Sequence, residues 1–125
     1  MRRLLTALPL LFALSAQAQQ VETYAQAKSR ADADESSLSS DASQALLASQ
    51  GEILDEGVAH CATPNPDLTP FVVVVQLDER GQIVRTWREG SSPLAICVQK
   101  YLAGKALPAP LQAPFFTAFE LSFTP

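Results

Sequence analysis

The chain has 125 residues, a formal net charge of −4 and a hydrophobic fraction of 47%. This length suits one small domain rather than two. Nucleic acid is not expected as a partner, because phosphate binding needs a dense basic surface that an acidic chain lacks.

The first eighteen residues have the three parts of a secretory signal peptide. Arg2 and Arg3 give a positive start, an apolar stretch runs over residues 4–14, and Ala16-Gln17-Ala18 offers a small-residue cleavage site. Cleavage would remove both arginines and leave seven basic against thirteen acidic residues, a net charge of −6. No later apolar stretch reaches the eighteen residues of a membrane span. The sequence therefore predicts a periplasmic protein with a signal peptide over residues 1–18 and no transmembrane segment after cleavage.

Residues 19–40 are polar and rich in Ala, Ser, Asp and Gln, with Val21 and Tyr24 as the only large apolar side chains before Leu38. Burial of so little apolar surface does not offset the entropy lost on ordering. We therefore predict a flexible leader over 19–40, with some helical tendency over 22–34. A single domain is expected over 41–125.

The domain is predicted to begin with a helix. Either Ser40 or Asp41 can serve as its N-cap, and it should end near Cys61. Its apolar side chains recur with helical spacing at Ala42, Ala45, Leu46, Ile53, Leu54 and Val58. Three prolines over residues 64–70 then predict an extended connector.

A β-hairpin is expected next. Residues 71–77 are the densest run of β-forming residues and predict a strand covered on both faces near its start. Asp78 to Gly81 predicts the turn, because glycine readily adopts a positive φ. Residues 82–88 resume as the second strand.

The last two elements are a helix and a strand. Ser92 is a suitable N-cap, Pro93 fits the first helical position, and Gly104 is a good C-terminal stop. Residues 115–123 alternate apolar and polar side chains, which is typical of a strand with one buried face. The order helix then β-β-α-β predicts an α+β fold, a three-stranded antiparallel sheet with the helices packed on one face.

The two cysteines, Cys61 and Cys97, are interpreted through the expected export. In an oxidising compartment a structural disulfide between the two predicted helices is favoured. The alternative, a reactive redox pair, lacks both the C-x-x-C spacing and a neighbouring basic cluster. A disulfide across this 36-residue separation would stabilise the domain by about 3–4 kcal/mol in the chain-entropy model.

No pattern predicts catalysis, a cofactor or a metal site. His60 is the only histidine, and we interpret it as a favourable charge at a helix C-terminus. One histidine and two bonded cysteines are too few donors for zinc. The adjacent acidic pairs, Asp55-Glu56 and Asp78-Glu79, do not supply the facing carboxylates of an acid–base site and are interpreted as solvated surface. We therefore expect a protein that is not an enzyme.

Arg85, Trp87 and Arg88 on the second strand are the candidate partner-binding residues, because Arg and Trp are favoured at interaction hot spots. Alternatively, Trp87 belongs to the core on the same face as Ile83. Arg85 would then share that face, unless the strand bends, Arg85 lies near an edge, or a bulge follows Gly81.

Residues 71–123 resemble the C-terminal domain of TonB-type energy transducers, and more closely its AgmX/PglI C-terminal variant. The common features are a valine-rich strand, a D-x-x-G-x-[IV] hairpin, a short helix and a terminal aromatic strand. The hairpin motif is matched at Asp78, Gly81 and Ile83. The variant adds a helix cysteine and a hydrophobic-Pro pair, matched here at Cys97-Val98 and Leu107-Pro108.

The resemblance implies a periplasmic module that binds another periplasmic or envelope protein. In the transducers, an extended segment of the partner pairs with the sheet edge. This chain lacks the Tyr-Pro near the start of the transducer domain, and its leader is too short for a spacer, so protein binding is expected rather than energy transduction. The alternative function is a secreted inhibitor or immunity factor against a toxin or hydrolase, a role that small exported disulfide domains often have.

Overall fold

The computed structural model describes residues 20–124, which form three helices and one three-stranded antiparallel sheet. The predicted α+β class is confirmed, whereas the predicted signal peptide lies outside the described residues. Along the chain the elements are α1 (Tyr24–Ser36), α2 (Ser40–Cys61), β1 (Phe71–Leu77), β2 (Ile83–Glu89), α3 (Pro93–Leu102) and β3 (Phe115–Leu121). Within 20–124, none of the helices combines the length and apolar character that crossing a membrane requires.

The central strand is β1, and the strand order is β2-β1-β3. Successive side chains of a strand point to opposite faces, and both faces of β1 are covered. Val73, Val74 and Val75 are all fully buried, which explains why this strand is an unbroken run of valines rather than an alternating pattern.

Helices α2 and α3 pack on one face of the sheet, as predicted for both. The N-cap of α3 is Ser92, whose hydroxyl accepts a hydrogen bond from the Ala95 backbone N–H. The N-cap of α2 is Ser39, which immediately precedes the two predicted positions, Ser40 and Asp41. The predicted disulfide is confirmed: Cys61 in the last turn of α2 is bonded to Cys97 of α3, with a Cα–Cα distance of 5.8 Å.

The prediction of a flexible leader over 19–40 is wrong, because this segment contains α1, an ordered helix where the sequence predicted only some helical tendency over 22–34. Thr23 and Gln26 form a capping box in which each side chain accepts a hydrogen bond from the other residue's backbone N–H. Ala27 and Ala31 have no exposed surface, and their small side chains let the helix approach the sheet closely. The large apolar surface at this contact comes from the sheet, through Val74, Trp87 and Phe116. A helix can therefore be ordered here although its own sequence is polar.

Helix α1 covers the face opposite α2 and α3. The sheet is thus enclosed between two layers, and each face has its own cluster of buried side chains. The prediction that the helices lie on one face holds only for α2 and α3, since it did not include α1. Helix α1 also determines which edges of the sheet remain open.

Candidate functional site

Strand β2 carries a β-bulge that changes the face on which its side chains lie. Leu77 of β1 pairs with Ile83, but the preceding residue, Gln76, pairs with Arg85, so Val84 is an extra residue on β2. The bulge after Gly81 was one of three alternatives drawn from the sequence, and it is confirmed. After the bulge, the odd-numbered residues of β2 therefore lie on the face of the sheet opposite to that of Ile83.

Trp87 lies on the α1 face, not on the face of Ile83. It is 8% exposed, its indole N–H makes a long hydrogen bond of 3.4 Å to the Glu22 carbonyl, and its ring centroid is 5.8 Å from that of Phe116. The core alternative for Trp87 is therefore correct, but the expected shared face with Ile83 is wrong. A partner cannot reach most of the indole while α1 is in place.

Arg85 and Arg88 lie on opposite faces of β2. The guanidinium carbon of Arg85 is 4.6 Å from the centroid of the Trp87 ring, and the side chain is exposed. Arg88 lies on the α3 face, where its Nε donates to Gln99 Oε1 at 3.0 Å and its Nη1 donates to the Gly90 carbonyl. The three candidate residues therefore do not form one patch. They flank the same strand from both sides.

One outer edge of the sheet, that of β3, is covered by carboxylates of α1. Asp34 Oδ2 accepts a hydrogen bond from the Phe116 backbone N–H at 2.9 Å. Glu35 accepts a hydrogen bond from the Thr117 hydroxyl at 3.0 Å. The outward N–H of Phe116 is thus satisfied by a side chain rather than by another strand.

Helix α2 completes the cover of the β3 edge through Gln50, which is buried. Its side-chain amide donates to Thr117 Oγ1 at 2.9 Å and to the Ala118 carbonyl at 3.3 Å. Side chains from both helices therefore occupy the outward N–H of Phe116 and the outward carbonyl of Ala118, in the middle of β3. Strand addition at this edge would require both helices to move.

The pKa of Glu35 leads to a prediction of how this carboxyl affects the stability of the fold. Burial raises the pKa of its carboxyl above the ordinary value, while the hydrogen bonds from Thr117 and Ala118 oppose that shift. When folding raises the pKa of a carboxyl, the folded state favours its protonated form. The resulting stability is fully present at low pH, and it is lost as the pH rises from the ordinary glutamate range through the raised pKa. Glu35→Gln should therefore be at least as stable as the wild type near neutral pH. Its free energy of unfolding should also change less between about pH 4 and about pH 7.

Urea unfolding at the two pH values measures this difference, and Glu52→Gln on the exposed side of α2 is the matched control. A Glu35→Gln variant that is clearly less stable than the wild type at neutral pH would contradict the prediction. That result would mean that the ionised carboxylate stabilises the fold.

The other outer edge, that of β2, is open over part of its length. Residues alternate along a strand in the side to which they direct their N–H and C=O groups. The Phe116 N–H points away from β1. When the alternation is followed from β3 through β1 to β2, Thr86 and Arg88 are the residues of β2 whose backbone groups point outward. Among residues 20–124, no strand pairs with these two residues on their outer side.

The beginning of the β2 edge is already occupied. Ile83 donates its N–H to the Lys105 carbonyl at 2.8 Å and accepts from the Gly104 N–H at 3.2 Å. The part that remains available comprises residues 84–89, and we call it the free section of β2. Val84 at its start is 51% exposed.

Three of the remaining polar residues considered from the sequence, His60, Glu56 and Asp78, have structural contacts. His60 stacks against Tyr101, whose hydroxyl donates to Glu56 at 3.1 Å. Asp78 accepts from the backbone N–H groups of Arg80 and Gln82 and so shapes the hairpin turn. In the part of the chain that the structure describes, no three His, Cys, Asp or Glu side chains are grouped to hold a metal ion.

Comparisons of the chain with protein-family models, with curated proteins and with solved structures found no match. Function is therefore inferred from the free section of β2.

Proposed function

We propose that this chain is an exported periplasmic protein that binds another envelope protein, without catalysis, by pairing an extended segment of that protein with the free section of β2. The observation that supports the proposal is the contrast between the two sheet edges. The β3 edge is covered by Asp34, Glu35 and Gln50, whereas Thr86 and Arg88 direct their backbone groups outward. Natural proteins protect sheet edges unless they use them, and strand addition is the mode of recognition that an open edge favours.

Two further features support this proposal. The disulfide between Cys61 and Cys97 is typical of proteins that fold in an oxidising compartment. Arg85 and Arg88 place a positive charge on each side of the free section, where they would contact alternate side chains of an added segment. The resemblance of residues 71–123 to TonB C-terminal domains favours the same mode of binding.

Replacing Thr86 with proline should prevent binding at this edge. Proline is tolerated in an edge strand where its missing N–H faces outward, so the bonds between β2 and β1 should persist. An added segment, however, loses a hydrogen bond and meets the proline ring. We expect binding to weaken by at least about tenfold, since the combined loss exceeds about 1.4 kcal/mol.

Thr86→Val is the matched control, because both substitutions remove the 3.1 Å hydrogen bond from Gln99 to Thr86 Oγ1 but only proline removes the backbone N–H. Tagged proteins from the periplasm, kept oxidised, would be used to capture partners for mass spectrometry. A protein retained by the wild type and by Thr86→Val but not by Thr86→Pro would support the proposal. Equal retention by Thr86→Pro, or no specific partner under several growth conditions, would overturn it. A captured toxin or hydrolase would favour the inhibitor or immunity alternative.

A further inference from the structure

The α1 face of β2 is complementary to itself. Arg85, Trp87 and Glu89 share this face, so the strand presents a positive, an aromatic and a negative side chain in order. An antiparallel copy presents them in the reverse order. When two copies are centred on Trp87, Arg85 of each lies opposite Glu89 of the other, which gives two cross-strand ion pairs.

The alternation of inward and outward backbone groups along β2 agrees with this register. Centring on Trp87 places Thr86 of one copy opposite Arg88 of the other, and these are the two residues whose backbone groups point outward. Both pairs are therefore hydrogen-bonded pairs. The Arg85–Glu89 pairs then occupy non-hydrogen-bonded positions, where opposing Cα atoms are closest, about 4.5 Å apart, and side chains interact most directly.

The two ends of the free section also fit a second copy. Ile83 is already paired with Gly104 and Lys105 on its outer side, so an added strand cannot extend that far. In the proposed register the residue opposite Ile83 is Ser91 of the other copy. The chain has left the strand by then, because β2 ends at Glu89 and Gly90 has a φ of 108°.

Both charged side chains have an aromatic neighbour on the α1 face in the single chain. The Arg85 guanidinium stacks on the Trp87 ring. Glu89 lies beside the Tyr24 hydroxyl, and burial of that hydroxyl together with the neighbouring carboxylate raises the pKa of Tyr24 to about 12. The contact with Trp87 orders Arg85 before association, which reduces the entropy lost on pairing.

We infer that a second copy of this chain occupies the free section of β2, in an antiparallel pairing with two-fold symmetry centred on Trp87 that joins the two sheets into one of six strands. This inference rests on the proposed function, which assigns strand addition to this edge, and it names the occupant when no other partner is bound. Four backbone hydrogen bonds and two ion pairs form a narrow interface, so the dimer belongs to the weak and transient class.

Sedimentation velocity of the oxidised protein from about 1 μM to about 1 mM tests the inference. The wild type should shift from monomer to dimer within this range. Arg85→Glu sets two carboxylates opposite each other and Glu89→Arg sets two guanidinium groups opposite each other, so each should weaken the dimer by at least about tenfold. The double variant Arg85→Glu/Glu89→Arg should recover the dimer, and a mixture of the two single variants should form a heterodimer.

Glu79→Arg in the exposed hairpin turn is the matched charge reversal away from the edge, and it should dimerise like the wild type. Thr86→Pro should be monomeric and Thr86→Val dimeric, a comparison that does not depend on the charged variants being folded. Dimerisation of Thr86→Pro, or a folded double variant that stays monomeric although the wild type dimerises, would overturn the inferred pairing. A wild type that stays monomeric throughout would also overturn it. The proposed function would then still be decided by partner capture with the same two Thr86 variants.

Discussion

Replacing Trp87 with alanine should lower the free energy of unfolding by about 3–5 kcal/mol, the range for removing a buried aromatic side chain. The indole fills the space between β2 and α1 and packs near Phe116. Ala27 and Ala31 offer no large side chain that could fill the resulting cavity. The loss of stability should therefore mainly weaken the packing of α1 on the sheet.

Far-UV circular dichroism in urea would follow the unfolding, because Trp87 is the only tryptophan and its fluorescence disappears with it. Trp87→Phe is the control: it retains a ring in the cavity but loses the hydrogen bond to Glu22, so it should cost less than half as much. Limited proteolysis should cut within α1 of the alanine variant before it cuts elsewhere. Unchanged stability combined with lost partner binding would instead support a hot-spot role for Trp87.

Removing the disulfide should lower the free energy of unfolding by about 4 kcal/mol in the chain-entropy model, because the bond closes a loop across a separation of 36 residues. This is a large share of the roughly 5–15 kcal/mol that stabilises a typical domain. The bond between Cys61 and Cys97 ties the last turn of α2 to α3. Its loss should therefore loosen the C-terminal half of α2 first.

Urea unfolding with and without dithiothreitol measures this effect. The reduced wild type and the double variant Cys61→Ala/Cys97→Ala should have similar stabilities, and reductant should not affect the double variant. A reduced wild type as stable as the oxidised protein would show that the disulfide is not needed for the fold.

The elements predicted correctly from the sequence are those with local signals. Ser92 and Pro93 mark the start of α3, and Asp78 and Gly81 define the hairpin turn; each depends on residues only a few positions away. For α1 the sequence predicts only some helical tendency over 22–34 within a flexible leader, although its capping box, Thr23 and Gln26, is also local. The polar composition of the segment argues against a stable helix, because the large side chains that bury α1 belong to the sheet.

The candidate site depends on long-range structure. The second strand is predicted to carry the partner-binding residues, but the faces of these residues depend on the bulge at Val84, which the sequence leaves as one of several alternatives. The cover of the β3 edge was not predictable. Asp34 and Glu35 reach residues 82 positions later in the chain, and no local pattern distinguishes them from other acidic residues of a polar segment.

The cover that α1 provides also limits how large an assembly can become. A sheet with two available edges can add copies at both ends and grow into an open-ended fibre. Here only one side of the described sheet can accept a strand, and a symmetric pairing uses that side in both molecules. Self-association should therefore be closed at two chains, and increasing concentration should change the proportion of dimers but not produce longer polymers.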